Sequence, residues 1–144
     1  MKIAIGCDHA GFELKEKLKS YIQAKGWEVK DMGTHSEERA DYPDFAHLVA
    51  IAVENKDVDY GLLMCGSGNG INMAANKHKG IRSALCWTAE IAELARLHND
   101  ANIMTLPARF IAEAEAKKCI DLFYTTAFEG GRHAGRVDKI SKGC

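Results

Sequence analysis

Apolar positions along the chain alternate between two rhythms. Lys2 to Cys7 (KIAIGC), Tyr60 to Cys65 (YGLLMC), Arg82 to Trp87 (RSALCW) and Asn102 to Leu106 (NIMTL) are short, largely apolar runs, the pattern of strands buried on both faces. Trp27 to Gly33 (WEVKDMG) reads as a further strand. Between these runs the apolar residues recur every three or four positions, which is the helical period. The first such stretch covers about Ala10 to Lys25, with Leu14, Leu18, Tyr21 and Ile22 on one face and Gly26 as its stop. In the second, Asp41 can cap a helix with Pro43 in its first turn and Phe45, Leu48, Val49 and Ala52 as its apolar stripe, ending near Asn55. Further helices are expected around Ile71 to Asn76, from Thr88 to about His98, and from Ile111 to Thr125 with Ala112, Ala116, Cys119, Ile120 and Phe123 turned inward.

Strand and helix alternate from end to end without a linker, repeat or low-complexity stretch, so residues 1–144 are expected to form a single domain. Parallel strands must be joined by crossovers, and this alternation predicts an α/β fold: a three-layer α/β/α sandwich, Rossmann-like, with about five parallel strands. In such sheets ligands bind beyond the carboxyl ends of the strands. That rule singles out CDHAG (Cys7 to Gly11), CGSGNG (Cys65 to Gly70), CWT (Cys86 to Thr88) and the segment after Leu106.

Composition narrows the partners. With 47% hydrophobic and 27% charged residues and a net charge of -1, the chain has no basic field for nucleic acid or an anionic membrane, and no apolar run long enough to cross a bilayer. The N-terminal stretch meets Asp8 and Glu13 where a signal peptide stays apolar, so a cytoplasmic location is expected. Five cysteines (Cys7, Cys65, Cys86, Cys119, Cys144), odd in number and without a C-x-x-C pair, fit free thiols in a reducing compartment. Cys7, Cys86 and Cys119 read as small core hydrophobes, and Cys144 as a terminal thiol.

The glycine loop after Cys65 fails both nucleotide fingerprints. A dinucleotide loop needs a glycine where Ile71 stands, and a Walker loop ends in Gly-Lys-Ser/Thr, whereas Gly70 is followed by Ile71 and Asn72. What remains is either a tight turn with glycines for steric reasons, or a run of N–H donors placed to hold a developing oxyanion. Cys65 is either a core residue or a thiol at a helix start, where the thiolate is favoured and can serve as base or nucleophile. A metal reading would collect Cys7, His9, Cys65 and Cys86 from neighbouring strand ends, although they lack paired spacing.

Other polar residues bear on the same crevice. Asp8 caps the next helix or presents its carboxylate beside His9. His98 falls seven residues after Ile91 and is expected to face inward, as a core histidine or as an acid/base. Arg132 and Arg136, four apart, make either a solvated turn or a phosphate clamp. A thiol, an imidazole, an anion hole and a dianion clamp together suit a small phosphorylated substrate that loses a proton beside a carbonyl.

The blocks GCDHAGFELK, DYPDFA, CGSGNGINMAANK, RLHNDAN and EGGRHAGRV, in this order from Lys2 to about Val137, resemble the type B ribose-5-phosphate isomerases of the ribose/galactose isomerase family. The resemblance implies interconversion of ribose 5-phosphate and ribulose 5-phosphate through an enediol, with no metal and no organic cofactor. It makes Cys65 the proton-transfer base, with the Ser67 hydroxyl near it, and gives His98 a part in ring opening. Gly66, Ser67, Gly68, Asn69 and Gly70 would form the anion hole. Asp8 and His9 would contact the sugar and its phosphate, Asn99 the reacting end, and Arg109, Arg132 and Arg136 the phosphate. One branch of the family replaces the cysteine by a glutamate at the position of Ile71; with Cys65 present and Ile71 unable to ionise, this sequence resembles the cysteine branch. Ser67 stands where some relatives have threonine and keeps the hydroxyl. The resemblance also implies a homodimer, sometimes paired into a tetramer, with His98 and Asn99 entering the partner's site and the tail, about residues 129–144, supplying arginines and dimer contacts. Allose 6-phosphate or galactose 6-phosphate isomerisation and a non-catalytic sugar-phosphate sensor are the competing readings.

Overall fold

The computed structural model describes residues 1–142; Cys144 lies outside the described residues. Five strands, β1 (Lys2–Cys7), β2 (Glu28–Asp31), β3 (Tyr60–Cys65), β4 (Ser83–Leu85) and β5 (Ile103–Pro107), form one sheet in the order β2-β1-β3-β5-β4. All neighbours pair in parallel, with Ile3 beside Tyr60 and Cys65 beside Pro107. Six helices connect and cover it: α1 (Phe12–Ala24), α2 (Tyr42–Glu54), α3 (Asn69–Ala75), α4 (Ala89–Asn99), α5 (Glu113–Thr125) and α6 (Ala134–Lys142). This is the expected three-layer α/β/α sandwich.

The alternation of side chains along each strand divides the core in two. Ile3, Ile5, Leu62, Met64 and Leu106 face α1, α4 and α5, whose Leu18, Ile22, Ala92, Ala95, Ala116, Ile120 and Phe123 complete one apolar layer. Ala4, Leu63, Cys65 and Ile103 face α2 and α3, where Ala46, Val49, Ala50, Ile71 and Ala75 complete the other. Where backbone meets backbone, glycine is obligatory: a Cβ on Gly11 would stand 2.8 Å from the Met64 Cβ and 2.9 Å from its carbonyl oxygen.

Several local expectations are corrected. Leu48 is 44% exposed; Val49 and Ala52 are buried as expected, and Ala46, Ala50 and Val53 complete the inward stripe of α2. Asp41 occupies the N-cap position of α2 but its side chain makes no cap bond, whereas Thr88 Oγ1 accepts the Ile91 N–H and caps α4. Ala112 is exposed because α5 begins one residue later. The glycine loop is shorter than expected, since α3 starts at Asn69 rather than Ile71.

Strand direction sets where everything else lies. Every strand rises to the same edge of the sheet, so each connecting helix descends from that upper edge to the lower one. Strand order reverses between β1 and β3, and the crevice above their carboxyl ends is where such folds bind ligands.

Candidate active site

The upper edge gathers the first group of candidate residues. β1 ends in Cys7 and leads to Asp8, whose Oδ1 accepts the Ala10 and Gly11 N–H groups at 2.9 and 3.2 Å and starts a 3-10 turn. Asp8 is therefore a cap, and a buried one, and both of these bonds use Oδ1. His9 follows, its Nδ1 lying 3.3 Å from both the peptide N and the carbonyl O of Ala40. β3, paired with β1, delivers Cys65 at its last position, with 5% exposure.

Past Cys65 the chain turns sharply into α3. Cys65 O accepts the Ala108 N–H and Gly66 O the Arg109 N–H, so the loop after β5 is fastened to this turn. Arg109 lies against Gly66: a Cβ on that glycine would stand 3.5 Å from the Arg109 Cδ and Nη1. Ser67 Oγ accepts from the peptide and side-chain nitrogens of Asn69 at 3.3 and 3.4 Å. Gly68 has φ of 78°, the left-handed region that a residue with a Cβ avoids. Gly70 packs beneath Tyr42, whose ring would stand 2.6 Å from an added Cβ. Two of the three glycines thus have steric reasons of their own, and the same turn also leaves first-turn N–H groups of α3 without helical acceptors. Asn72, one turn into α3, was not singled out by the sequence; its side-chain Oδ1 is buried without a partner among the described residues.

The cysteines separate by burial. Burial pushes the Cys7, Cys86 and Cys119 thiols up to about 12, with the Lys15 charge opposing at Cys7, the Cys119 thiol adding at Cys86 and the Glu115 charge adding at Cys119. Cys7 and Cys86 sit in the layer under α1, α4 and α5, whereas Cys65 lies on the α2 and α3 side of the sheet. The four residues Cys7, His9, Cys65 and Cys86 therefore do not assemble into one ligand set.

The second group of candidates stands at the lower edge, where α4 and α5 end. His98 is not inward. The buried positions of α4 are Ala92, Ala95 and Arg96, and the His98 side chain is 36% exposed. Its ring stacks on that of His133 at 4.2 Å between centroids and 15° between planes. Glu129 Oε2 lies 3.8 Å from Nε2 of each. The Glu129 N–H donates to the Leu97 carbonyl, which fastens the tail to α4, and Arg132 Nε stands 3.4 Å from His133 Nε2. The tail is a 3-10 turn, Gly131–His133, followed by α6, with Arg132 in the turn and Arg136 in the helix, both exposed. Burial, then the nearby His98, Arg132 and Arg136 charges, hold the His133 imidazole below its ordinary range, with Glu129 opposing. Asn99 is exposed, and its carbonyl oxygen accepts from Arg82 Nε at 3.1 Å.

One chain thus carries two half-sets. Asp8, His9, Cys65 to Gly70 and Arg109 stand at the upper edge; His98, Asn99, Arg132 and Arg136 belong to the lower one. A strand of five residues such as β5 separates those edges by about 16 Å at ~3.3 Å per residue.

Residues 3–140 match the model of the family described as Ribose/Galactose Isomerase. The chain is 46% identical over 140 residues to the ribose-5-phosphate isomerase B of Escherichia coli K12, covering 97% of this chain and 94% of that protein. The crystal structure of a ribose 5-phosphate isomerase from Thermotoga maritima superposes with a TM-score of 0.97 at 51% identity, covering 98% and 97% of the two chains. A second, ribose-5-phosphate isomerase B from Mycoplasma genitalium with bound ribulose-5-phosphate, gives 0.93 at 44% identity over 98% and 94%.

Proposed function

The chain belongs to the ribose/galactose isomerase family, and from that premise we propose that it is an aldose-ketose isomerase interconverting D-ribose 5-phosphate and D-ribulose 5-phosphate. The observation that carries this reading is the near full-length likeness to a relative holding ribulose-5-phosphate. That likeness favours the five-carbon sugar over the six-carbon phosphates, and a catalyst over a sensor.

The reaction moves one proton between adjacent carbons and needs no net redox partner: C2 of the aldose is oxidised as C1 is reduced. In this reading the Cys65 thiolate removes the C2 proton, the C2–H electron pair becomes the enediol double bond, and the C1 carbonyl pair moves onto oxygen. A proton then passes from the C2 hydroxyl to O1, the O2 electron pair forms the C2 carbonyl, and the double-bond pair takes the proton back from the thiol at C1. A sugar α-proton is far less acidic than a thiol, so the step proceeds only with the enediolate oxygen held by donors. The N–H groups of Gly66 to Gly70 are those donors, one good oxyanion contact being worth about 3 kcal/mol. The Ser67 hydroxyl supports the thiol, and Asp8, through Oδ2, and His9 hold the sugar.

The division between the two edges supports a homodimer with shared sites. His98 and Asn99 act in the partner's crevice, His98 opening the furanose by proton transfer and Asn99 holding the reacting end. Arg132 and Arg136, at the same edge as His98, enter with it, while Arg109 stays beside Gly66. The phosphate clamp is then itself assembled from two chains. Four free cysteines among the described residues fit the cytoplasm, and no described helix is long and apolar enough to cross a membrane.

Conversion of ribose 5-phosphate to ribulose 5-phosphate, followed in the presence of a chelator, tests the reading. Wild type is expected to turn over and Cys65→Ala to lose at least a thousandfold in kcat. An inactive wild type, or a Cys65→Ala protein at full rate, refutes it.

A further inference from the structure

Away from both half-sites, three side chains tie α2 to the segment that follows α3. Glu54, the last residue of α2, accepts the Gly80 N–H on Oε1 at 2.8 Å and places Oε2 3.0 Å from His78 Nδ1. His78 Nε2 in turn lies 2.8 Å from Nδ1 of His47, seven residues back along α2. The two rings are 5.1 Å apart at an angle of 52°. The row is largely covered, with the His78 side chain 17% and the Glu54 side chain 28% exposed.

The carboxylate decides what the nitrogens can do. Both Glu54 oxygens are engaged, Oε1 by the Gly80 N–H and Oε2 by His78 Nδ1. An anionic oxygen at Nδ1 keeps the proton of His78 there and leaves the lone pair on Nε2, the arrangement by which outer carboxylates orient metal-binding histidines. His47 Nδ1 faces that lone pair at 2.8 Å, with its own proton between them. Two imidazole nitrogens around a tetrahedral cation, each at ~2.0–2.1 Å, stand about 3.3 Å apart. A separation of about half an ångström beyond the present distance, with the His47 proton moved to Nε2, lets a cation replace that shared proton without net proton release.

We propose that His47 and His78 form a site for a first-row divalent cation of the zinc type, oriented by Glu54 and completed by water. The site would clamp the middle of α2 to the segment that follows α3. The cluster of His98, Glu129 and His133, whose ligand atoms lie within 4.8 Å of one another, is a poorer candidate. Its rings stack nearly parallel, so their in-plane lone pairs run side by side instead of converging, and the Arg132 guanidinium stands 3.4 Å from His133 Nε2.

Zinc ion titrated into the protein by calorimetry at pH 7.5, with Cys144→Ser in every sample to remove that thiol, tests the site. The parent is expected to bind one equivalent that is absent in His47→Gln and in His78→Gln. Glu54→Gln is expected to bind it ten- to a hundredfold more weakly, and His133→Ala to bind it unchanged. Circular dichroism on each variant establishes that loss of binding is not loss of fold. No equivalent in the parent, its retention in a folded His47→Gln protein, or its loss in His133→Ala overturns the proposal. Unaltered affinity in Glu54→Gln overturns the role given to the carboxylate.

Discussion

Mixing two inactive variants tests whether catalysis is shared between chains. Cys65 closes β3 at the upper edge, and His98 lies one residue before the end of α4, which descends eleven residues, about 16 Å at ~1.5 Å per residue. Proton transfer needs heavy atoms within about 3.2 Å, or one water between them, so in the proposed roles the two reach one substrate only from different chains. Cys65→Ala and His98→Ala are therefore expected to be separately impaired on ribose 5-phosphate. When equal amounts are dissociated in mild denaturant and reassembled, random pairing makes half the dimers mixed. Each mixed dimer contains one site with both changes and one with neither, because the intact Cys65 of one chain meets the intact His98 of the other. Recovery of about one quarter of the wild-type rate per chain follows. The assay is ribulose 5-phosphate formation before and after reassembly, with the mixed species resolved by a charge tag on one variant. If mixed dimers show only the average of the parents, each site lies within one chain and the argument from strand direction is wrong.

Other outcomes follow from single environments. Iodoacetamide at pH 8 is expected to label Cys65 and to spare Cys7, Cys86 and Cys119, whose thiols burial pushes up to about 12; peptide mass spectrometry reads the pattern, and ribose 5-phosphate should slow the Cys65 label. Lys15 is fully buried with Nζ 2.6 and 2.8 Å from the Asp31 oxygens, so Lys15→Met should cost about 2–3 kcal/mol in urea unfolding, less than for an isolated buried pair because Lys19 Nζ stays 3.0 Å from Asp31. Burial raises the Asp31 carboxyl, but the Lys15, Lys19 and Gly33 hydrogen bonds outweigh it and leave it below its ordinary value. Its contribution is then complete above about pH 4 and lost as pH falls further, so wild type and Asp31→Asn should converge in stability in strong acid. Gly68→Ala places a Cβ 2.4 Å from Leu85 Cδ1 at a φ of 78° and is expected to lower stability by about 1–2 kcal/mol and kcat by at least tenfold. Unchanged urea midpoints, or labelling of the three core thiols in the folded protein, would count against these environments.

The sheet and its helices were legible in the sequence because period and punctuation agree along most of the chain. Cys65 could be placed at a strand exit by its position alone, and Gly66 to Gly70 at the following turn. His98 departs from the expected inward face for a geometric reason: seven residues return a helical position only approximately, and Ile91, the reference for that face, is itself half-buried. Periodicity also says nothing about which edge of the sheet a helix end reaches. That requires the strands to be known as parallel, and it separates Arg132 from Arg109 although both are arginines following helical or strand-like patterns. Leu48 looked like core because it is apolar and in phase, but α2 is wide enough in apolar residues to leave Leu48 and Ile51 outside. The row of Glu54, His78 and His47 crosses from one helix to a later loop and has no local signature.

In the proposed dimer, a chain with its thiol at one pole and its imidazole at the other completes its site only with a partner. Its specific activity should therefore vanish on dilution below the dissociation constant of the pair, the total rate rising with the square of chain concentration before it becomes linear. Under that proposal the descent of α4 makes abundance itself a control on turnover, since each chain gains a working site only by meeting another copy.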